Sequence, residues 1–287
     1  MSITQEQRAE RKNHLGGSDI PAIMGFSPYA NSYDIWLLKT GRVQEPEKKQ
    51  DYITAGNLLE NPILEWLSKF LSETIITSPI DLEKQVRGTP IVDHMDGIIK
   101  SNGDPVEVKT EGVDHPIRMP WGEVGTDEVP EYTCIQAHVH LMATEREICH
   151  VPTFIGGRGF GYFFVKRDEI IVKMILEKSL RFWEENVLAD KPPENIVPSL
   201  DIVRRIRPLE GEVEIPDALI KIWQEAKERE TVAKHDKEFH QAEILALLDG
   251  RESGFCANGV ITNLEQSRAG YVVEPCSFRV LRLKKKK

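Results

Sequence analysis

The 287-residue chain is 40% hydrophobic and 29% charged, enough for one sizeable domain with an appendage and too ordinary in composition for a disordered segment. No apolar run approaches membrane-spanning length, and the polar start MSITQEQRAERKN lacks a signal peptide's apolar stretch, so a cytoplasmic protein is expected. The 37 basic and 46 acidic residues give a net charge of −9, which argues against a generically basic nucleic-acid binder, although charge location matters more than the sum.

In chain order, Ser18 reads as the N-cap of a helix starting near Asp19. Glu60 stands just before an amphipathic helix, where the helix dipole alone would favour a solvated acid. Two apolar segments then flank Asn102-Gly103, a strong signal for a two-residue hairpin turn. VPEYTCIQAHVHLMAT carries Tyr132 and Gln136 one helical turn apart, and FIGGRGFGYFFV reads as a glycine-turned hairpin before the helix RDEIIVKMILEKSLRFWEENV. Trp36, Trp66 and Trp183 lie in amphipathic helices and read as core. Residues 191–216 belong to a stretch with five prolines from Asp190 to Pro216, which reads as a linker between a domain at 1–190 and a tail at 217–287. In the tail, Leu219, Ile222, Trp223, Ala226, Leu245 and Leu248 suit a long amphipathic helix ended by Gly250, followed by two or three short strands from Phe255 to Leu283. The basic end holds Arg279, Arg282 and Lys284 to Lys287. Cys134, Cys149, Cys256 and Cys276 are scattered and read as reduced thiols, not a zinc site.

The chemistry concentrates in DGIIKSNGDPVEVKT. A two-residue turn at Asn102-Gly103 sets Ile98 opposite Glu107 and Asp96 opposite Lys109, and strand alternation puts Asp96, Glu107 and Lys109 on one face. Pro105 then falls at a pair that needs no backbone N–H. Two carboxylates and the Val108 carbonyl suit Mg²⁺ or Mn²⁺, which would lower the pKa of a bound water and neutralise charge on a phosphodiester transition state. Lys109 can position or deprotonate that water, or offset developing charge. Alone, Asp-(x10)-Glu-x-Lys is a loose pattern, and an exposed Asp–Lys pair is worth under about 1 kcal/mol.

Several ordered blocks resemble the YqaJ-like viral recombinases, the lambda exonuclease family within the PD-(D/E)XK nuclease superfamily. They are Arg11 followed by LGGSDIPAIMGFSPYANSYDIWLLKTGRV, then AGNLLENPILEWL, then the DG…EVK segment and VPEYTCIQAHVHLMAT. The likeness covers roughly residues 8–190. It implies an α/β fold: a restriction-endonuclease-like core whose mixed central sheet is flanked by helices, here with a C-terminal helix and small β appendage. It implies that Asp96, Glu107 and the Val108 carbonyl bind Mg²⁺ (or Mn²⁺), with Glu60 contributing directly or through water. Lys109 would act on the attacking water and Gln136 would orient the water or metal shell. Arg11 and Ser18 match residues that hold a 5′-phosphate end. Two departures stand out: Met95 replaces the usual proline, and His94 replaces another phosphate-contacting serine.

The implied activity is 5′-to-3′ digestion of linear double-stranded DNA to leave a 3′ single strand for phage-type homologous recombination. Implied partners are duplex DNA ends, a single-strand annealing protein and further copies of the chain, a trimer among them; no membrane is involved. The same fold also serves endonucleases and resolvases, and a related CRISPR-type nuclease carries an iron–sulfur cluster whose cysteine spacing is absent here. A catalytically silent DNA-binding protein is the remaining alternative, disfavoured because every expected catalytic side chain is present. His138 and His140, two residues apart on a helix, point away from each other and read as structural.

Overall fold

The computed structural model describes residues 11–43, 51–77, 82–112, 120–207, 210–265 and 267, with the side chains of residues 11 and 51–53 outside that set. The chain divides into two compact units, Met1–Arg207 and Pro208–Lys287.

The first unit is mixed α/β, as expected. Its larger sheet runs β2 (Ile75–Ile76), β5 (Gly97–Ile99), β6 (Pro105–Val106), β8 (Ile148–Ile155) and β7 (Lys109–Glu111), with β9 (Gly159–Lys166) also paired to β8. β6 and β7 both run parallel to β8, through Val106↔His150 and Lys109↔Thr153. The offset between partners is the same, so the two are successive pieces of one line broken at Glu107 and Val108. β2, β5 and β9 join their neighbours antiparallel. The parallel return from β7 to β8 needs a crossover, and α4 (Glu131–Thr144) lies within it. A smaller sheet sets β4 (Ile91–His94) between β1 (Leu15–Gly16) and β3 (Glu83–Gln85).

α4 is buried on nearly every side because it separates three environments. Ile135, Val139 and Met142 enter the main core with Leu15, Ile20 and Trp36. Ala137 and Leu141 join Cys149, Val151 and Phe163 beneath the sheet. Tyr132, Gln136 and His140 are spaced by four residues, which aligns them along a third face.

α1 (Ile20–Met24) and α2 (Ser32–Lys39) cover the N-terminal side. α2 begins with a reciprocal cap, Asn31 Oδ1 accepting from Asp34 N and Asp34 Oδ2 accepting from Asn31 N, each at 3.1 Å; such caps are worth about 0.5–2 kcal/mol. The other oxygen of buried Asp34 accepts the Ser199 N–H at 2.8 Å, and Ile202 of α6 (Leu200–Val203) enters the main core. Residues 191–207 therefore pack with the first unit, and the boundary falls at Arg207–Pro208 instead of at 190 or 216.

α3 (Asp51–Leu71) runs through Pro62 without stopping. Proline removes one helix hydrogen bond at a cost of about 3 kcal/mol; Ile63, Leu64 and Leu67, all buried directly behind it, oppose that cost. Glu60 consequently sits inside a helix, not before one. α5 (Glu169–Phe182) is capped by Asp168 and relaxes into a π-helical turn, Trp183–Leu188, whose Asn186 carbonyl accepts from Trp36 Nε1 at 3.2 Å. Trp36 is core, whereas Trp66 and Trp183 are half-buried.

In the second unit, α7 (Asp217–Leu248) is followed by a hairpin of β10 (Ser253–Cys256) and β11 (Gly259–Thr262). Leu248 is buried, but Leu219, Ile222 and Leu245 are exposed, so the expected apolar stripe is not covered. Cys276 and the basic end, Arg279 to Lys287, lie outside the described residues. Among the described residues no helix is long and apolar enough to cross a membrane.

Candidate active site

The hairpin after Asp96 differs from the expected register. Gly97 pairs with Val106 and Ile98 with Pro105, and Ile99 N donates to Asp104 O at 2.9 Å. The loop is thus Lys100–Gly103, two residues longer than expected, held by Asn102 Oδ1 accepting from Asp104 N at 3.0 Å. Gly103 takes φ 81°, a conformation side-chain-bearing residues avoid. An even shift in register preserves which face each side chain occupies, so the predicted grouping survives; Asp96 lies just outside the paired residues, its N–H donating to Val106 O at 3.2 Å. Pro105 still falls between hydrogen-bonded pairs.

Around this break the side chains interlock. Asp96 Oδ2 accepts from Val108 N at 2.7 Å. Lys109 Nζ donates to Glu107 Oε1 and, at 3.0 Å, to Gln136 Oε1. His140, fully buried, donates from Nδ1 to Asp93 Oδ2 and from Nε2 to Glu107 Oε2, each at 2.6 Å. Lys109 Nζ also lies 5.7 Å from the Tyr132 ring, which meets Tyr29 edge-on. Gly17 packs so closely behind Asp93 that a Cβ there would stand 2.4 Å from Asp93 Oδ1.

The electrostatics separate the two central carboxylates. Burial, then repulsion from Glu107, pushes the Asp96 carboxyl up to about 7; Lys109 and the Val108 N–H oppose this, and Glu60 adds to it. Burial would raise Glu107 too, but Lys109 and His140 outweigh it and hold its carboxyl at about 2. Burial lowers Lys109 and His140, yet the carboxylates facing them prevail, raising Lys109 and taking His140 to about 10. Both cations therefore stay protonated near neutrality.

Asp96, Glu107, Lys109 and Gln136 are thus brought together, and Glu60 lies close enough to act on Asp96. Ser18 is exposed in the 3-10 turn Gly17–Asp19 and caps nothing. Asp19 is the residue before α1; its carboxylate instead accepts from Gly16 N and pairs with Lys39 at 2.6 Å. Arg11 opens the 3-10 turn Arg11–Asn13, and its side chain lies outside the described set. His94, the last residue of β4, bonds to Glu83 of β3 at 2.9 Å. His138 is structural as expected: it bonds the Cys134 carbonyl at 2.7 Å and accepts from Asp168 N. The reading of His140 as merely structural misses its bond to Glu107. Its spacing, four residues after Gln136, is the signal that the sequence carries for this. Asp93, three residues before Asp96, was missed outright.

Among the described residues no group of three or more His, Cys, Asp or Glu side chains is gathered to hold a metal ion. The donor chemistry nevertheless fits a hard cation: burial first, and repulsion from Glu107 second, raise Asp96, and Lys109 supplies the positive charge on Glu107 Oε1. Lys109 has a second acceptor in Gln136 and can leave that oxygen without losing every partner.

Residues 6–147 match the model of the YqaJ-like viral recombinase domain. The uncharacterized protein YqaJ of Bacillus subtilis (strain 168) is 25% identical over 190 residues, 64% of this chain. The matched region spans 56% of that relative's own length. Among solved structures, the alkaline exonuclease LHK-Exo of Laribacter hongkongensis is 14% identical, with a TM-score of 0.48 over 65% of this chain and 94% of its own. A phage-related exonuclease from Haemophilus somnus 129PT is 10% identical, with a TM-score of 0.43 over 62% and 97%.

Proposed function

We propose, from the match of residues 6–147 to the model of the YqaJ-like viral recombinase domain, that the chain is a divalent-metal-dependent exonuclease acting on linear double-stranded DNA. Digestion runs 5′ to 3′ and leaves a 3′ single strand for recombination. The observation that carries this reading is the convergence of Asp96, Glu107, Lys109 and Gln136 at the break between β6 and β7, with Asp96 raised to about 7 by burial and uncompensated negative charge.

Asp96, Glu107 and the Val108 carbonyl would hold Mg²⁺ or Mn²⁺, with Glu60 contributing from α3. When bound, the cation lowers the pKa of a coordinated water and neutralises charge on the phosphate. In hydrolysis the water oxygen bonds to phosphorus, the bridging P–O bond breaks, the water gives up one proton to solvent and the departing oxygen takes one from solvent. Lys109, kept protonated by Glu107, acts as a donor that orients the water and stabilises charge on the reacting phosphate; it is in the wrong state to take a proton. Gln136 gives the ammonium a second acceptor when Lys109 yields Glu107 Oε1 to the cation. Arg11 and Ser18 hold the 5′-phosphate of the duplex end. A single-strand annealing protein receives the product strand, and assembly into a ring, trimeric in the resembling family, lets an acidic exterior coexist with a basic interior.

Incubation of the protein and Mg²⁺ with end-labelled linear duplex and with covalently closed circular DNA tests the reading. Loss of the linear duplex from its 5′ ends with the circle intact is expected. Cutting of the closed circle would identify an endonuclease or resolvase instead, and chelation should stop all cleavage.

A further inference from the structure

The two oxygens of Glu107 are held in different ways. Oε1 is bonded by Lys109, a long side chain with a second acceptor in Gln136. Oε2 is bonded by His140, whose other nitrogen is already committed to Asp93. His140 and Asp93 are both 0% exposed, and Gly17 closes the space behind Asp93. The histidine ring is rigid and its two donors point in opposite directions, so it spans the gap between β4 and the β6–β7 break. A buried chain of two carboxylates and an imidazolium is seldom a net source of stability, since apolar residues of equal volume often do as well or better. Its geometry calls for a use beyond packing.

We propose that His140 is a positioning residue for Glu107: anchored by Asp93, it fixes the carboxylate through Oε2 and leaves Oε1 as the oxygen offered to the reaction. The inference rests on the nuclease reading above. His140 touches neither DNA nor cation and acts only through Glu107, as the outer hydrogen-bond partners of metal ligands do. Lys109, the competitor for Oε1, is the partner able to move, and His140 is the one that stays.

The test uses the full chain freed of metal. Mn²⁺ binding is followed by calorimetry, and kcat and KM are measured on labelled linear duplex. His140→Gln keeps one donor and removes the bridge. Mn²⁺ affinity and kcat should each fall about 10–100-fold, while KM for DNA stays within about two-fold because DNA-contacting groups are untouched. If that variant does not fold, Asp93→Asn/His140→Gln removes the stranded Asp93 charge and carries the same measurements. A histidine with only a packing role would lower the unfolding midpoint and leave Mn²⁺ affinity and kcat unchanged in the folded protein; that result overturns the proposal. A wild-type chain that binds Mn²⁺ and cuts DNA, beside variants that match it, removes this inference alone. A wild-type chain that does neither removes the nuclease reading with it.

Discussion

Replacing Asp96 with asparagine should stabilise the metal-free protein, and increasingly so as the pH rises. In the folded chain the Asp96 carboxyl moves from 3.8 to about 7, with burial first and Glu107 second among the causes. A folded pKa above the unfolded one means the native state binds the extra proton between these values. The associated stability is present below about pH 4 and is lost as pH rises through about 7. Each pKa unit is about 1.4 kcal/mol, so up to about 4 kcal/mol disappears across that window, and relaxation around the site should leave about 2–4. The asparagine side chain does not titrate and keeps an oxygen for the Val108 N–H, while the contributions of Glu107 and His140 are common to both proteins. Urea unfolding with EDTA, at about pH 5 and about pH 8.5, measures the difference. Only the two pKa units between pH 5 and about 7 fall inside this comparison, so the variant should gain about 2–3 kcal/mol on wild type between the two conditions. Excess Mn²⁺ at the higher pH should favour wild type again, since a ligand at 100 times its Kd contributes about 2.7 kcal/mol. Parallel pH dependences for the two proteins would refute the account of Asp96 as an unneutralised site carboxylate.

Lys109→Ala should lower the rate of DNA cleavage by at least about 100-fold with duplex binding retained, because it removes a charge that acts on the reacting phosphate; near-wild-type turnover would remove Lys109 from the site. Gly17→Ala forces Asp93 away from a Cβ at 2.4 Å and should cost about 1–3 kcal/mol in urea unfolding, the usual penalty for overpacking. Duplex ends bearing 5′-phosphate should be degraded faster than 5′-hydroxyl ends, and Arg11→Ala should shrink that ratio more than it weakens binding; an unchanged ratio excludes Arg11 from an end pocket. Deleting Lys284 to Lys287 should flatten the salt dependence of binding by about 0.9 log units per lost phosphate contact, and an identical slope would make the tail a passive end.

The grouping of Asp96, Glu107 and Lys109 is legible in the sequence because strand alternation depends only on even spacing, and it survives an error in the turn for the same reason. Loop length is not legible: Asn102-Gly103 signals a two-residue turn, but the Asn102 side chain folds onto Asp104 and makes a longer one. The start of α3 is masked by Pro62, since a local helix breaker gives no sign that Ile63, Leu64 and Leu67 will be buried behind it. Ser18 resembles a cap, but the backbone makes a 3-10 turn first, and Asp19, whose carboxylate accepts from Gly16 N, becomes the residue before α1. Asp93 and His140 stay hidden for a different reason. Each is an ordinary polar residue in its own segment, and only the packing of α4 against β4 makes them partners.

That partnership ties together two positions 47 residues apart. Exchanging His140 alone strands Asp93 in the interior and leaves Glu107 to Lys109, and exchanging Asp93 alone leaves an imidazolium with half its support; breaking a buried pair in this way typically costs about 3–5 kcal/mol, whereas replacing both members is often neutral for stability. For stability the two positions therefore act as one unit. A chain carrying one exchange without the other has to draw about 3–5 kcal/mol of stability from elsewhere.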